Sequence, residues 1–243
     1  MEDQLAACRA LYATAFPGEE QAFAATLFSR YAPRHLRVKT VGGAVASMLF
    51  SIPYPIQITS GTVDARYLYA VATAPEFRGR GLARALIAEE IARGLPVFLR
   101  PMQPSLFAFY ARAGLTPFAP HETVCVQAGG GTEGIRALDA AAYRAARAAF
   151  LNAPFCQPTE DFLRLSFCGG GAIGQAGVFA ALYECTGGQL FIKELLGDIQ
   201  NAPRVAAFLG YPQATVRTHC AKGTPFGAGA NLPDGASFLL ALD

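Results

Sequence analysis

The chain contains no tryptophan, three histidines and six cysteines in 243 residues. The cysteines (Cys8, Cys125, Cys156, Cys168, Cys185 and Cys220) form no Cys-x-x-Cys pair and do not cluster with the histidines. That scatter excludes the usual zinc spacings and a disulfide framework, so no metal is expected and the thiols read as reduced core residues. Charge of one sign is also lacking. Twenty Lys+Arg against eighteen Asp+Glu leave a formal charge of +2, with no basic block. A nucleic-acid partner, tRNA included, therefore has no electrostatic footprint. Long apolar runs are missing too: each is broken by Gly, Pro or charge well before about 18 residues, and the start, Met1-Glu2-Asp3, is acidic where a signal peptide would be basic. The expectation is a soluble, cytoplasmic protein with no membrane partner.

What is abundant is apolar content, at 52%. A chain of this length and composition buries a substantial core, as one large domain or two small ones. The most informative stretch is Ala72-Thr73-Ala74-Pro75-Glu76-Phe77-Arg78-Gly79-Arg80-Gly81-Leu82-Ala83. Tyr67 to Val71 before it reads as a strand, and Leu82, Leu86 and Ile91 after it recur at helical spacing. The loop therefore opens a helix. Gly79 and Gly81 remove the Cβ atoms that would hold a ligand off the backbone, and first-turn N–H groups at a helix N-terminus bind phosphate oxygens. Arg78 and Arg80 add charge at the rim. The P-loop is rejected because Leu82-Ala83 stands where Lys-Ser or Lys-Thr is required, and the dinucleotide fingerprint because its third glycine falls on Arg84.

Two halves are expected, 1–128 and 133–243, joined by the glycine run Gly129-Gly130-Gly131-Thr132 as a linker. In the first, two helices (Leu5 to Tyr12 and Glu19 to Tyr31) precede a hairpin across Gly42-Gly43. A loop follows from Pro53-Tyr54-Pro55 to Val63, then the Tyr67 strand, the glycine-loop helix, a strand Val97-Phe98-Leu99, a helix opened by Pro104 and a last strand around Val124. The second half repeats hairpin, helix and strand over Gly177 to Thr218, which reads as an internal duplication. Its loop, Gly197-Asp198-Ile199-Gln200-Asn201, has one glycine and an aspartate where phosphate charge would sit, so this half should not bind the same ligand.

The motif Arg-x-x-Gly-x-Ala (Arg78 to Ala83), followed by Phe109-Tyr110-Ala111-Arg112-Ala113-Gly114-Leu115, resembles the GNAT superfamily of acyl-CoA-dependent N-acyltransferases, strongly over Tyr67 to Leu115 and weakly beyond Gly131. One intact and one degraded half resemble the tandem-GNAT enzymes of the Eis type, without length for the sterol-carrier-like domain those carry. The resemblance implies an α/β (α+β) fold of two GNAT-like domains, each a mixed, mostly antiparallel sheet flanked by helices, with the second degenerate. It implies acetyl-CoA as co-substrate and a small-molecule or peptide amine as acceptor, with self-association left open. Backbone groups of Val71, Ala72 and Thr73 would pair with the pantetheine arm. Arg78, Gly79, Arg80, Gly81, Leu82, Ala83 and Arg84 would hold the pyrophosphate, Ser105 would line the cleft, and Tyr110 would be the general acid. Eis-type chemistry also uses a chain-terminal carboxylate, which falls on Asp243, the end of a different domain.

No general base stands out. Ala65 occupies the position where many GNAT enzymes place glutamate; its neighbour Asp64 falls on the wrong face of a regular strand, and Tyr69, His121 and Glu122 are other candidates that read first as surface or packing residues. His35 and His219 are lone histidines. Two other readings stay open: a non-catalytic acyl-CoA-binding or regulatory module, and a tRNA-dependent aminoacyl transferase, which the near-neutral charge disfavours.

Overall fold

The computed structural model describes residues 2–18 and 20–242. The chain forms two compact units that are interleaved in sequence: 1–54, 64–117 and 227–233 make the first, and 55–63, 118–226 and 234–243 the second. The expected single boundary at 129–132 is thus replaced by several crossings. Along the chain run α1 (Glu2–Ala15), α2 (Gln21–His35), β1 (Leu36–Val41), β2 (Ala44–Pro53), β3 (Ile56–Ile58), β4 (Gly61–Val63), β5 (Arg66–Thr73), α3 (Leu82–Ile91), β6 (Val97–Leu99), α4 (Phe107–Arg112) and β7 (Thr116–Gln127). They are followed by β8 (Arg136–Leu138), α5 (Ala140–Phe150), β9 (Phe155–Cys156), α6 (Glu160–Ser166), β10 (Gly170–Gln175), β11 (Phe179–Thr186), β12 (Gln189–Gly197), α7 (Ala202–Phe208), β13 (Gln213–His219) and β14 (Thr224–Ala230).

In the first unit the sheet order is β1-β2-β5-β6-β14. The β1–β2 hairpin turns on Gly42 and Gly43, both at positive φ, which matches the right-handed twist of its strands. β5 carries the feature that makes the site. Met48 pairs with Ala72 and Phe50 with Tyr69, so β5 has one more residue than β2 over this stretch, and Ala70 sits at φ +52°. This is a β-bulge, which bends its strand. The parallel pairing of β5 with β6 covers only Arg66↔Val97 and Tyr67↔Phe98, and beyond it the two strands separate. On one face of the sheet Leu49, Leu68, Leu86, Ile87, Val97, Leu99, Tyr110 and Leu115 form a core under α3 and α4. On the other, rings pack edge to face, as in Tyr12–Phe28 and Phe28–Phe50. α3 is fastened by Glu90, buried and accepting from Ser51 Oγ at 2.5 Å and Arg37 Nε at 2.8 Å. β14, unforeseen in sequence, joins this sheet beside β6 through Ala228↔Leu99.

In the second unit the order is β7-β13-β12-β11-β10-β8, and β4-β3-β9 form a separate small sheet. The segment after Pro55, expected as a loop, is therefore a hairpin, with Gly61 at its turn. Period-2 alternation splits β11: Ala181 packs under α7, while Ala180 and Leu182 pack under α5 and α6. The run 129–132 lies inside this unit and is fastened, not a free linker, with Gly129 N bonded to Pro203 O and Arg204 Nε to Gly131 O at 2.7 Å. Arg147 and Glu194 form a fully buried pair at 2.7 Å, with Tyr143 Oη donating to the same carboxylate at 2.9 Å. All six cysteines are free thiols, but only Cys8 and Cys156 are core residues; Cys125 and Cys168 are exposed, a correction to the uniform expectation.

Candidate active site

The separation of β5 from β6 and the loop that follows β5 produce a cleft of about 790 Å³ within the first unit, lined from β5 by Val71 and Thr73, from the loop and α3 by Phe77 to Arg84, and from the α4 side by Leu106, Phe109, Tyr110 and Arg112. The loop bends because Gly79 and Gly81 adopt φ +75° and +73°, a region closed to most side chains. Gly81 is the N-cap of α3 and no side chain caps that end, which leaves the first-turn N–H groups of Leu82, Ala83 and Arg84 open to the cleft. A Cβ built on Gly79 would meet nothing within 4 Å, so the neighbours leave the space over the loop open.

Charge around this cleft is of one sign. Arg78 and Arg80 bond only backbone carbonyls, of Thr73 at 3.2 Å and Glu76 at 3.4 Å, and Arg80 lies over the Phe77 ring. Among the described residues none of Arg78, Arg80, Arg84 and Arg112 has an acidic partner. Four uncompensated guanidinium groups beside a helix N-terminus make an anion site suited to a diphosphate. Among the described residues no carboxylate or imidazole lines it. Tyr110 is 8% exposed, and nothing among the described residues hydrogen-bonds its hydroxyl. Burial alone pushes the phenol up to about 12.

The structure thus brings together Val71, Thr73, Arg78, Gly79, Arg80, Gly81, Leu82, Ala83, Arg84 and Tyr110. Ala72 is buried behind them, its carbonyl accepting from Ser47 Oγ at 2.8 Å. Ser105 sits exposed in the 3₁₀ turn before α4 and is not among the residues that line the cleft. Asp243 lies outside the described residues. Ala65 is fully buried, Asp64 and Glu122 are exposed, and Tyr69 is half-buried with its hydroxyl 3.5 Å from that of Tyr12. In the second unit His121 Nδ1 is 2.9 Å from Thr224 O. His35 and His219 are both held below the usual imidazole range, chiefly by burial. Sequence reasoning missed Phe77, Phe109 and Arg112, for which the only signal was their place inside the two motifs.

The equivalent loop of the second unit is chemically opposite. Asp198 Oδ1 accepts from Gln200 N at 2.9 Å, so a carboxylate occupies the turn, and Pro203 removes a donor from the first turn of α7. The nearest arginine, Arg204, is committed to Gly131, Asn201 and Gln175.

A bulged strand, a neighbour that parts from it and an uncapped helix start thus meet in one cleft of the first unit. Residues 1–117 match the acetyltransferase (GNAT) domain family, so this part of the chain is a GNAT domain. Over nearly its whole length the chain is similar to solved GNAT-type structures. A conserved protein of unknown function from Enterococcus faecalis V583 superposes with a TM-score of 0.73 at 13% identity, covering 93% of this chain and 69% of that one. A GCN5-related N-acetyltransferase from Anabaena variabilis gives 0.71 at 14% identity, with 94% and 70% covered. Eis1 from Mycobacterium abscessus gives 0.64 at 14%, with 92% and 64%. The chain thus spans about two thirds of the length of these proteins. At these identities the likeness shows the fold alone. No curated protein matches the sequence. No helix among the described residues is long and apolar enough to cross a membrane.

Proposed function

We propose that the chain is an acetyl-CoA-dependent N-acetyltransferase that moves an acetyl group to the amine of a small molecule or peptide. One observation carries this reading: a single cleft joins an open, arginine-rimmed helix start to a stretch of β5 released from its neighbour, with the Tyr110 phenol in the wall. The residues fit the co-substrate. The helix start and four arginines answer the diphosphate, and β5 beyond Tyr67 has backbone groups without a β6 partner for the amides of the arm. Bound acetyl-CoA supplies the activated acyl group.

Tyr110 keeps its proton at neutral pH and acts as a hydrogen-bond donor to the sulfur. With a free thiol near ~8.5, complete transfer from a phenol at about 12 is uphill by roughly 3.5 pKa units, or about 5 kcal/mol, so donation without full transfer is the role its environment favours. Among the described residues the cleft lining holds no carboxylate or imidazole, and a neutral amine, or one that gives its proton to water, needs none.

The test is release of free thiol from acetyl-CoA in the presence of a panel of small-molecule and peptide amines, with acetylated product identified by mass. Turnover with at least one amine, absent in Gly81→Val, is expected. Tight binding of CoA with no transfer to any amine would favour the binding-module reading instead.

A further inference from the structure

Ser47, on β2, is fully buried, and its Oγ lies 2.8 Å from the carbonyl oxygen of Ala72 and 3.0 Å from Oγ1 of Thr73. Ser47 and Thr73 stand opposite each other in the β2–β5 ladder. Two oxygens at such separations attract only with a hydrogen between them. The carbonyl of Ala72 has none to give, so the hydrogen on that contact is the one that Ser47 carries. Ser47 then has none left for Thr73, and the hydrogen on the second contact must come from the Thr73 hydroxyl. Thr73 therefore donates inward, and its oxygen keeps only lone pairs for a ligand in the cleft it lines.

We propose that Ser47 is a positioning residue that fixes Thr73 Oγ1 as an acceptor for a neutral N–H donor in the cleft, an amide of the coenzyme A arm. This rests on the reading that coenzyme A occupies the cleft. An oxygen that has given away its hydrogen repels phosphate oxygens and attracts an N–H. The carbonyl of Thr73 already accepts from Arg78 Nε, and the side-chain oxygen adds a second acceptor at this position. The cleft is thereby polarised along its length, with an acceptor at Thr73 and donors from Gly79 to Arg84, and a linear ligand with amides at one part and a diphosphate at another is held in one register.

The experiment measures, by calorimetry, the binding of CoA and of ADP, which has the diphosphate but no arm, to the full chain and to Thr73→Val, Thr73→Ser and Ser47→Ala. A neutral hydrogen bond contributes a net ~0.5–1.5 kcal/mol, so Thr73→Val is expected to weaken CoA about 2- to 12-fold while leaving ADP unchanged. Thr73→Ser should restore CoA affinity. Ser47→Ala should weaken CoA in the wild-type background and have no further effect on it in Thr73→Val, because Ser47 acts through Thr73. Wild-type CoA affinity in folded Thr73→Val overturns the proposal, as does an equal loss for CoA and ADP, which would make Thr73 a support of the glycine loop. Should Ser47→Ala not fold, the Val and Ser variants of Thr73 decide alone. Failure of the wild type to bind CoA while still binding ADP, or to bind either, overturns the coenzyme reading itself and this proposal with it.

Discussion

Replacing Tyr110 by Phe removes one oxygen and leaves the ring, which packs with Phe109 at a centroid distance of 5.1 Å, in place. The hydroxyl has no hydrogen-bond partner among the described residues, so the variant gives up no internal hydrogen bond and should fold with near-unchanged stability. If the hydroxyl donates to sulfur as negative charge builds there, the lost interaction is a hydrogen bond to a charged group, worth about 1.5–3 kcal/mol, and kcat should fall roughly 10- to 150-fold. CoA affinity should change little, because the ground-state sulfur is neutral. The pH dependence sharpens the test. The protonated phenol is the competent form, so its contribution is lost only as pH rises through its raised value of about 12. Steady-state rates from pH 6 to 10 should therefore show wild type and variant falling or rising together, offset by a constant factor. A basic limb near pH 9–10 that disappears in Tyr110→Phe would refute the argument from burial, and an unchanged kcat would reduce Tyr110 to packing.

Gly81→Val places a β-branched residue at φ +73°, which costs about 1–2 kcal/mol of stability, and puts methyl groups over the helix start; CoA affinity should fall more than tenfold while circular dichroism stays native. Because Asp198 and Pro203 fill the matching turn of the second unit, calorimetry should give one CoA per chain, and two equivalents would refute that assignment. Glu194→Ala leaves the Arg147 guanidinium buried without its counter-charge, so urea unfolding should show a loss of about 3–5 kcal/mol; a shift in the midpoint too small to resolve would mean that Gln157 and the Cys156 carbonyl suffice for Arg147.

How much of this was legible beforehand depends on the range of the interactions. The β1–β2 hairpin, α3 and the glycine loop were readable because each is specified locally: Gly42-Gly43 fixes a turn, and Gly79 and Gly81 permit a backbone that other residues resist. The place of Tyr110 in the cleft wall was readable from its motif, and the carboxylate in the second loop from Asp198. The linker at 129–132 was misread because glycine content reports freedom only where nothing binds the backbone, and here Pro203 and Arg204, more than seventy residues on, do. Ser105, placed by motif spacing alone, is exposed and outside the cleft lining, since spacing along the chain does not fix burial.

The sequence by itself determined the locally specified elements, the β1–β2 hairpin, α3 and the glycine loop that opens it, since glycine conformation, period and charge are properties of neighbouring residues. Tertiary structure decided the rest. The bulge at Ala70 has no sequence signature; it follows from how β5 registers against β2, and it lies just beyond Tyr67, the last β5 residue paired with β6. The return of Gly227–Pro233 to the first unit, the convergence of Arg112 with Arg78, Arg80 and Arg84, the raised pKa of Tyr110 and the direction of the Thr73 hydroxyl all depend on contacts between residues far apart in the chain. Such contacts exist only once the core has closed, because burial and proton sharing are set by what surrounds a group in space.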